Sequence, residues 1–279
     1  MTTPAPAAPA APVSLVRLIV IGLAGGFLSG LFGVGGGIIM VPLLMWLAHL
    51  DQRRASATSL AAILPASIAG SIGYLVGGQV DWLAALFVAI GSIAGSWIGA
   101  MLLRRLPLTV LRWGFIALLV LIAIRMVLVD VPDRTDAHLE MTPLVAVLLV
   151  AFGLFVGIAS GLFGIGGGLL MVPVFIGGFG MGDLVAKGTS LLVMIPTSIT
   201  GTVANTRAKL VDLRQGLTVG IAAVVASFGG VAVSFLLSPE LATWLFVVLL
   251  AFVTVQLSFR AVKAQRAARR AKDAGDAEA

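Results

Sequence analysis

SGLFGVGGGIIMVP, from Ser29 to Pro42, recurs as SGLFGIGGGLLMVP, from Ser160 to Pro173. Eleven of these fourteen positions are identical, and the other three exchange one aliphatic residue for another. The offset of 131 extends beyond the motif. Gly22, Gly26 and Gly30 fall on Gly153, Gly157 and Gly161, Thr58 and Ser59 on Thr189 and Ser190, Pro65 and Ser67 on Pro196 and Ser198, and Val80 and Asp81 on Val211 and Asp212. Past that point the sequence register slips by a few residues. The reading is a duplicated chain, because an internal repeat sets the architecture before any local feature does. Repeat 1 covers 14–129 and repeat 2 covers 142–262, joined by a polar linker at 130–141. A Pro/Ala-rich tail at 1–13, without the basic start of a signal peptide, precedes them, and a basic, mixed-charge tail at 263–279 follows.

The composition names the solvent. Of 279 residues, 59% are hydrophobic and 11% charged, with mean hydropathy +1.12 and no cysteine. A water-facing domain carries about 25% charged residues. A cytosolic enzyme, a nucleic-acid binder and a disulfide-stapled module are therefore excluded. The net charge of +6 sits in short clusters between apolar runs, as expected of residues that orient segments in a bilayer. Long stretches free of Asp, Glu, Lys and Arg run over 18–50, 55–80, 82–103, 141–182, 188–206, 215–239 and 241–259, and a further segment at 107–129 carries Arg112 and Arg125 near its ends. About 20 helical residues cross the hydrocarbon core. The expectation is an all-α polytopic membrane protein with eight spans and up to ten helical elements.

The runs 18–50 and 141–182 are too long for one crossing, and each is interrupted by GxGGG. Glycine costs roughly 1 kcal/mol per residue in a helix relative to alanine, so the helix should open there and resume. Each run would then start and end on the same side of the membrane. With that return, fifteen of the eighteen Lys and Arg residues share the side of the carboxyl tail, against twelve for single crossings. The positive-inside rule favours the return and a cytoplasmic C-terminus. Each half then contributes an odd number of elements, so the two repeats are inverted, a frequent transporter architecture.

The breaks are the first candidate site. Gly33, Gly35, Gly36 and Gly37, with Gly164, Gly166, Gly167 and Gly168, strip side chains from the backbone. They leave the first N–H groups of the next helix unpaired, at the positive end of its dipole. Such open backbone survives in a membrane only inside protein or along a cavity. The alternative is that these glycines serve close packing alone, which is the preferred reading for Gly22, Gly26, Gly30 and their copies. Thr58, Ser59, Thr189 and Ser190 could donate to an oxyanion or bond back to a carbonyl one turn earlier. The proline seven residues after each threonine suggests a second broken or kinked helix, with Ser67 and Ser198 as weaker copies of the same idea. Lys187, just before Gly188, could attract an anion at the mouth, but a solvated interfacial lysine is the preferred reading, and Asp81 and Asp212 read as helix N-caps. His49 and His138 have no ligand-spaced partners, so no metal is expected. Neither glycine run is followed by Lys-Ser/Thr or sits in a dinucleotide context, so no nucleotide or other cofactor is expected either. No Asp or Glu lies deep in a span, which leaves a carboxylate proton relay or cation site without parts. A neutral site of backbone dipoles and hydroxyls suits an anion.

The duplicated SGLFGxGGG motif, with ATSL and GTSL downstream, resembles the sulfite exporter TauE/SafE family, over about 14–262. The resemblance implies an inner-membrane permease of about eight helices for sulfite, sulfonates or related small organosulfur anions. The expected function is alternating access of a small anion between two inverted halves, with membrane lipid and the solute as partners, no nucleic acid, and homo-oligomerisation left open. Replacing Gly36 or Gly167 with a bulky aliphatic is expected to abolish flux while sparing insertion. A non-transporting membrane scaffold is the alternative; an intramembrane enzyme and a small-cation carrier lack the side chains they would need.

Overall fold

The computed structural model of the chain describes residues 13–128, 139 and 141–277, without the side chains of 127, 264 and 266–277. His138 and all of the linker except Leu139 and Met141 lie outside them, as do residues 1–12 of the tail. The described residues form helices: α1 (Leu15–Phe32), α2 (Gly37–Leu47), α3 (Gln52–Val76), α4 (Trp82–Arg105), α5 (Leu108–Leu128), α6 (Pro143–Phe163), α7 (Gly168–Phe179), α8 (Asp183–Arg207), α9 (Leu213–Leu236) and α10 (Pro239–Ala277). Eight are long and apolar enough to span a bilayer, and α2 and α7 are the short arms beyond the glycine breaks.

The 131-residue offset does not slip in three dimensions. α3 and α8, and α4 and α9, begin and end at positions 131 apart. Sequence identity fades in this region because most of these positions need only be small or apolar, and the helix boundaries keep the frame. Asp81 and Asp212 show how: each side chain accepts a hydrogen bond from the backbone N–H three residues on, at 2.9 Å from Ala84 and 3.0 Å from Gln215. An N-cap of this kind satisfies one of the orphan donors of a helix start.

The halves are inverted and interleaved. α3 and α8 run antiparallel through the middle of the molecule, Gly70 meeting Leu191 and Gly201 meeting Leu60. α1 packs along α9 of the other repeat, and α6 packs along α4, so each tight pair takes one helix from each half. The glycine ribbons make this approach. A Cβ on Gly26 would stand 2.2 Å from the Ala223 carbonyl oxygen, and one on Gly157 2.3 Å from that of Ser92. Only a bare α-carbon lets the backbones come so close, which is how helices associate where lipid removes the hydrophobic drive.

Each Gly-broken run folds back on itself. Arg17, near the start of α1, donates through Nη1 to the Leu47 carbonyl at the end of α2, 3.3 Å away. The two ends of the run therefore lie together, as the same-side return requires. The expected second break does not occur: α3 and α8 continue as unbroken helices through Pro65 and Pro196. Ser67 and Ser198 each donate to a carbonyl three residues back, at 2.9 Å and 3.1 Å, and stay within their own helices.

Candidate functional site

Gly33 and Gly164 end α1 and α6 in the left-handed conformation, with φ of 68° and 72°. Gly35, Gly36, Gly166 and Gly167 also have positive φ. These angles bring the chain round so that α2 and α7 start beside the helices they follow. The two breaks then touch. A Cβ on Gly37 would lie 2.6 Å from the Gly164 carbonyl oxygen, and one on Gly168 2.5 Å from that of Gly33. Gly35 and Gly166 both face Ile63 of α3 and Met194 of α8, equivalent residues at the midpoint of the central helix pair. Both breaks are buried throughout.

The break amides lack backbone partners. None of the backbone hydrogen bonds among the described residues is donated by the N–H groups of Val34 to Ile38 or of Ile165 to Leu169. Two further groups point the same way. The hydroxyls of Ser29 and Ser160, 131 residues apart and fully buried, have no hydrogen-bond partner. Unpaired buried donors are rare because each forfeits its hydration. Here two sets of amides and two hydroxyls stand at equivalent positions of the two repeats, and Ser160 Cβ lies 3.7 Å from a Cβ built on Gly167. Sequence reasoning passed over Ser29 and Ser160, although they open the quoted motif in both copies.

The hydroxyl pairs divide into two roles. Ser59 Oγ sits 2.9 Å from the Ser56 carbonyl in its own helix and 2.7 Å from that of Gly164 in the other repeat. Ser190 does the same with the carbonyls of Lys187 and Gly33. These serines hold the last carbonyl of the opposite repeat's broken helix. Thr58 and Thr189 instead accept, through Oγ1, from the backbone N–H groups of Asp212 and Asp81 at 3.3 Å and 2.9 Å. They tie the α8–α9 and α3–α4 connections to the central helices.

The two ends of the molecule differ. Beside Thr58 opens a vestibule of about 1050 Å³, edged by Arg17, Arg54, Lys209 and Arg214, with Asp51 and Asp212 among them. At the opposite end Asp81 is buried, with Oδ2 accepting from the backbone N–H of Leu139, 3.0 Å away. The equivalent carboxylate, Asp212, is exposed, and its Oδ2 is held by its own neighbour Gln215 at 2.8 Å. The two equivalent carboxylates therefore differ: Asp212 lines a wide vestibule, and Asp81 is buried against Leu139.

Lys187 departs from its expected place. It is 3% exposed, and its Nζ lies 2.8 Å from Oδ2 of Asp183, itself 5% exposed. The ammonium is inside the protein because Asp183, in the first turn of α8, faces it one turn away on the same side of the helix. The carboxylate stands at a segment end, as its sequence position indicated, yet within the bundle. Gly36 and Gly167 also need restating as mutation targets. Their positive φ, and the Gly25 carbonyl oxygen 2.2 Å from a Cβ at Gly36, make any side chain there a packing fault as well as a binding fault.

A model of the family described as "Sulfite exporter TauE/SafE" matches residues 2–126 and 149–276, one segment per repeat. The chain is 32% identical over 211 residues to the "Probable membrane transporter protein YunE" of Bacillus subtilis (strain 168), covering 68% of this chain and 77% of that protein. It is 31% identical over 194 residues to a "Probable membrane transporter protein" of Haemophilus influenzae, covering 67% and 72% of the two chains. The protein MamO of Magnetospirillum gryphiswaldense shares 34% identity over 133 residues, only 21% of its own length. No solved structure matches.

Proposed function

The chain belongs to the sulfite exporter TauE/SafE family of multi-pass membrane transporters, and on that premise we propose that it carries a small oxyanion, sulfite or a sulfonate, bound between its two glycine breaks. The observation that carries this reading is the set of unpaired donors, amides 34–38 and 165–169 with the hydroxyls of Ser29 and Ser160. An anion entering there gains hydrogen bonds that the protein has already desolvated the donors to make. It also meets the positive ends of α2 and α7. Tetrahedral or pyramidal oxyanions offer several acceptors at once, which suits donors arriving from two sides.

The inverted repeats supply the access cycle. The asymmetry between the vestibule end and the end where Asp81 is buried supports such a cycle, in which each equivalent half takes the other's form in turn. In this reading the vestibule, residues 51–54 and the carboxyl tail face the cytoplasm, which the excess of Lys and Arg on that side supports. Thr58, Ser59, Thr189 and Ser190 support the site by holding the breaks and connections in place. The chemistry of the site is recognition and passage, not bond making.

The deciding experiment is flux into proteoliposomes across a panel of sulfite, sulfoacetate, taurine, thiosulfate and simple carboxylates. Saturable flux of one sulfur oxyanion supports the reading. A chain that inserts yet moves none of them is a scaffold.

A further inference from the structure

The repeat symmetry is broken at one chemically telling place. Asp183 and Lys187 of α8 correspond, at the 131-residue offset, to Gln52 and Ser56 of α3. Both pairs are buried: in repeat 1 the contact is between neutral groups, Gln52 Nε2 to Ser56 Oγ at 3.5 Å, and in repeat 2 it is an ion pair at 2.8 Å. Lys187 Nζ also reaches Ser234 Oγ at 3.3 Å, and Ser234 replaces Leu103 of the first repeat. The lysine backbone is pressed against the glycine break, since a Cβ on Gly33 would stand 2.6 Å from Lys187 Cα. A cavity of about 40 Å³ touches Asp183, Lys187 and Arg125, enough for a few waters. Its counterpart in repeat 1, about 200 Å³, is lined by Gln52, Arg112 and Arg260.

We propose that this pair couples anion movement to a proton, with Lys187 turning from Asp183 to the anion and Asp183 taking up a proton from the cavity water. The inference rests on the anion-site reading above. In the empty site the two charges cancel. An anion arriving beside Lys187 replaces Asp183 as its partner and leaves the buried carboxylate without its ion-pair lysine, with Arg125 the other charged group lining the cavity. One proton on that carboxylate restores neutrality, so the loaded centre carries an anion, a lysinium and a neutral acid. On release the proton leaves, and the pair re-forms. Arg125 of α5 lines the cavity beside the pair, and the buried Asp81 and Tyr74 meet α8 at Thr189 and Gly188. The tyrosine hydroxyl is engaged by the Gly30 carbonyl at 2.8 Å; α7 and α10 present no titratable side chain to the cavity.

The test uses the full chain in proteoliposomes with [³⁵S]sulfite, measuring both exchange at equal pH and accumulation driven by a pH gradient. Asp183→Asn should keep exchange within about threefold of the parent and lose gradient-driven accumulation at least tenfold. Lys187→Gln should lose both. The double change Asp183→Gln with Lys187→Ser installs the first repeat's own neutral combination and keeps the proposal falsifiable if the single variants fail to fold; it should insert, with accumulation lost. Accumulation equal to the parent in Asp183→Asn, or in the double variant, overturns the proposal, because the proton would then travel on the solute itself. A parent chain that moves no member of the panel removes the transport reading, and this one with it; a parent that moves a sulfonate and not sulfite is tested with that labelled sulfonate.

Discussion

The hydroxyl of Ser59 lies 2.7 Å from the carbonyl oxygen of Gly164, a contact between residues 105 apart that pins the end of one repeat's broken helix to the other repeat. Ser190 makes the symmetry-related contact with Gly33. Either hydroxyl, if removed, leaves a buried carbonyl short of a partner, at a cost of roughly 1–3 kcal/mol. Ser59→Ala and Ser190→Ala should each lower the melting temperature in detergent, to similar degrees. An unchanged melt in both would mean that the breaks are held by packing alone.

Ser29 and Ser160 should behave in the opposite way. Their hydroxyls are buried and unpartnered, so alanine removes a desolvated group and should leave stability unchanged or slightly raised. Flux should fall by about tenfold per serine, the value of one charge-assisted hydrogen bond of ~1.5 kcal/mol. Normal flux with normal stability would place the solute elsewhere.

The glycines give a contrast between packed and open helix positions. Gly26→Leu and Gly157→Leu drive a side chain into a facing carbonyl and should prevent recovery of folded protein. Gly229, in α9, has nothing within 4 Å of a built Cβ. Gly229→Ala should stabilise by up to about 1 kcal/mol, read as a raised melting temperature.

His49 and Lys209 have φ of 56°, where their symmetry mates are Gly180 and Gly78. Left-handed backbone costs a residue with a Cβ about 1–2 kcal/mol. Lys209→Gly should therefore raise the melting temperature, because the other repeat already uses glycine at this turn.

The chain lacks cysteine, so labelling needs no background substitution. Cysteines at Arg54 and Arg105 should react with an impermeant maleimide from the face bearing the carboxyl tail, and one at Ser238 from the opposite face. Labelling of 54 and 238 from a common face would refute the inverted topology.

Much of this architecture is legible in the residues. Hydropathy marks the spans, and the doubled GxGGG reveals both the repeat and the returns, because four clustered glycines cannot sustain a helix. The Asp81 and Asp212 caps are legible because capping is local. What escapes is set by partners distant in sequence. Nothing around Lys187 says that its ammonium turns inward, since that depends on Asp183 and Ser234 meeting it. Ser29 and Ser160 look like ordinary helix serines until the folded chain leaves them unpartnered. Pro65 and Pro196 suggest a broken or kinked helix, and α3 and α8 run on through both prolines without a break.

The interleaving of α1 with α9 and of α6 with α4 has a mechanical consequence. Swinging the amino-terminal repeat as one block against the carboxy-terminal repeat would tear two seams in which backbones already touch. The covalent halves of the chain are thus not its moving parts. On the proposed access cycle, movement would then fall to the helices outside those seams, the short arms α2 and α7 and the α5–α10 pair, against a frame that each repeat helps to weld.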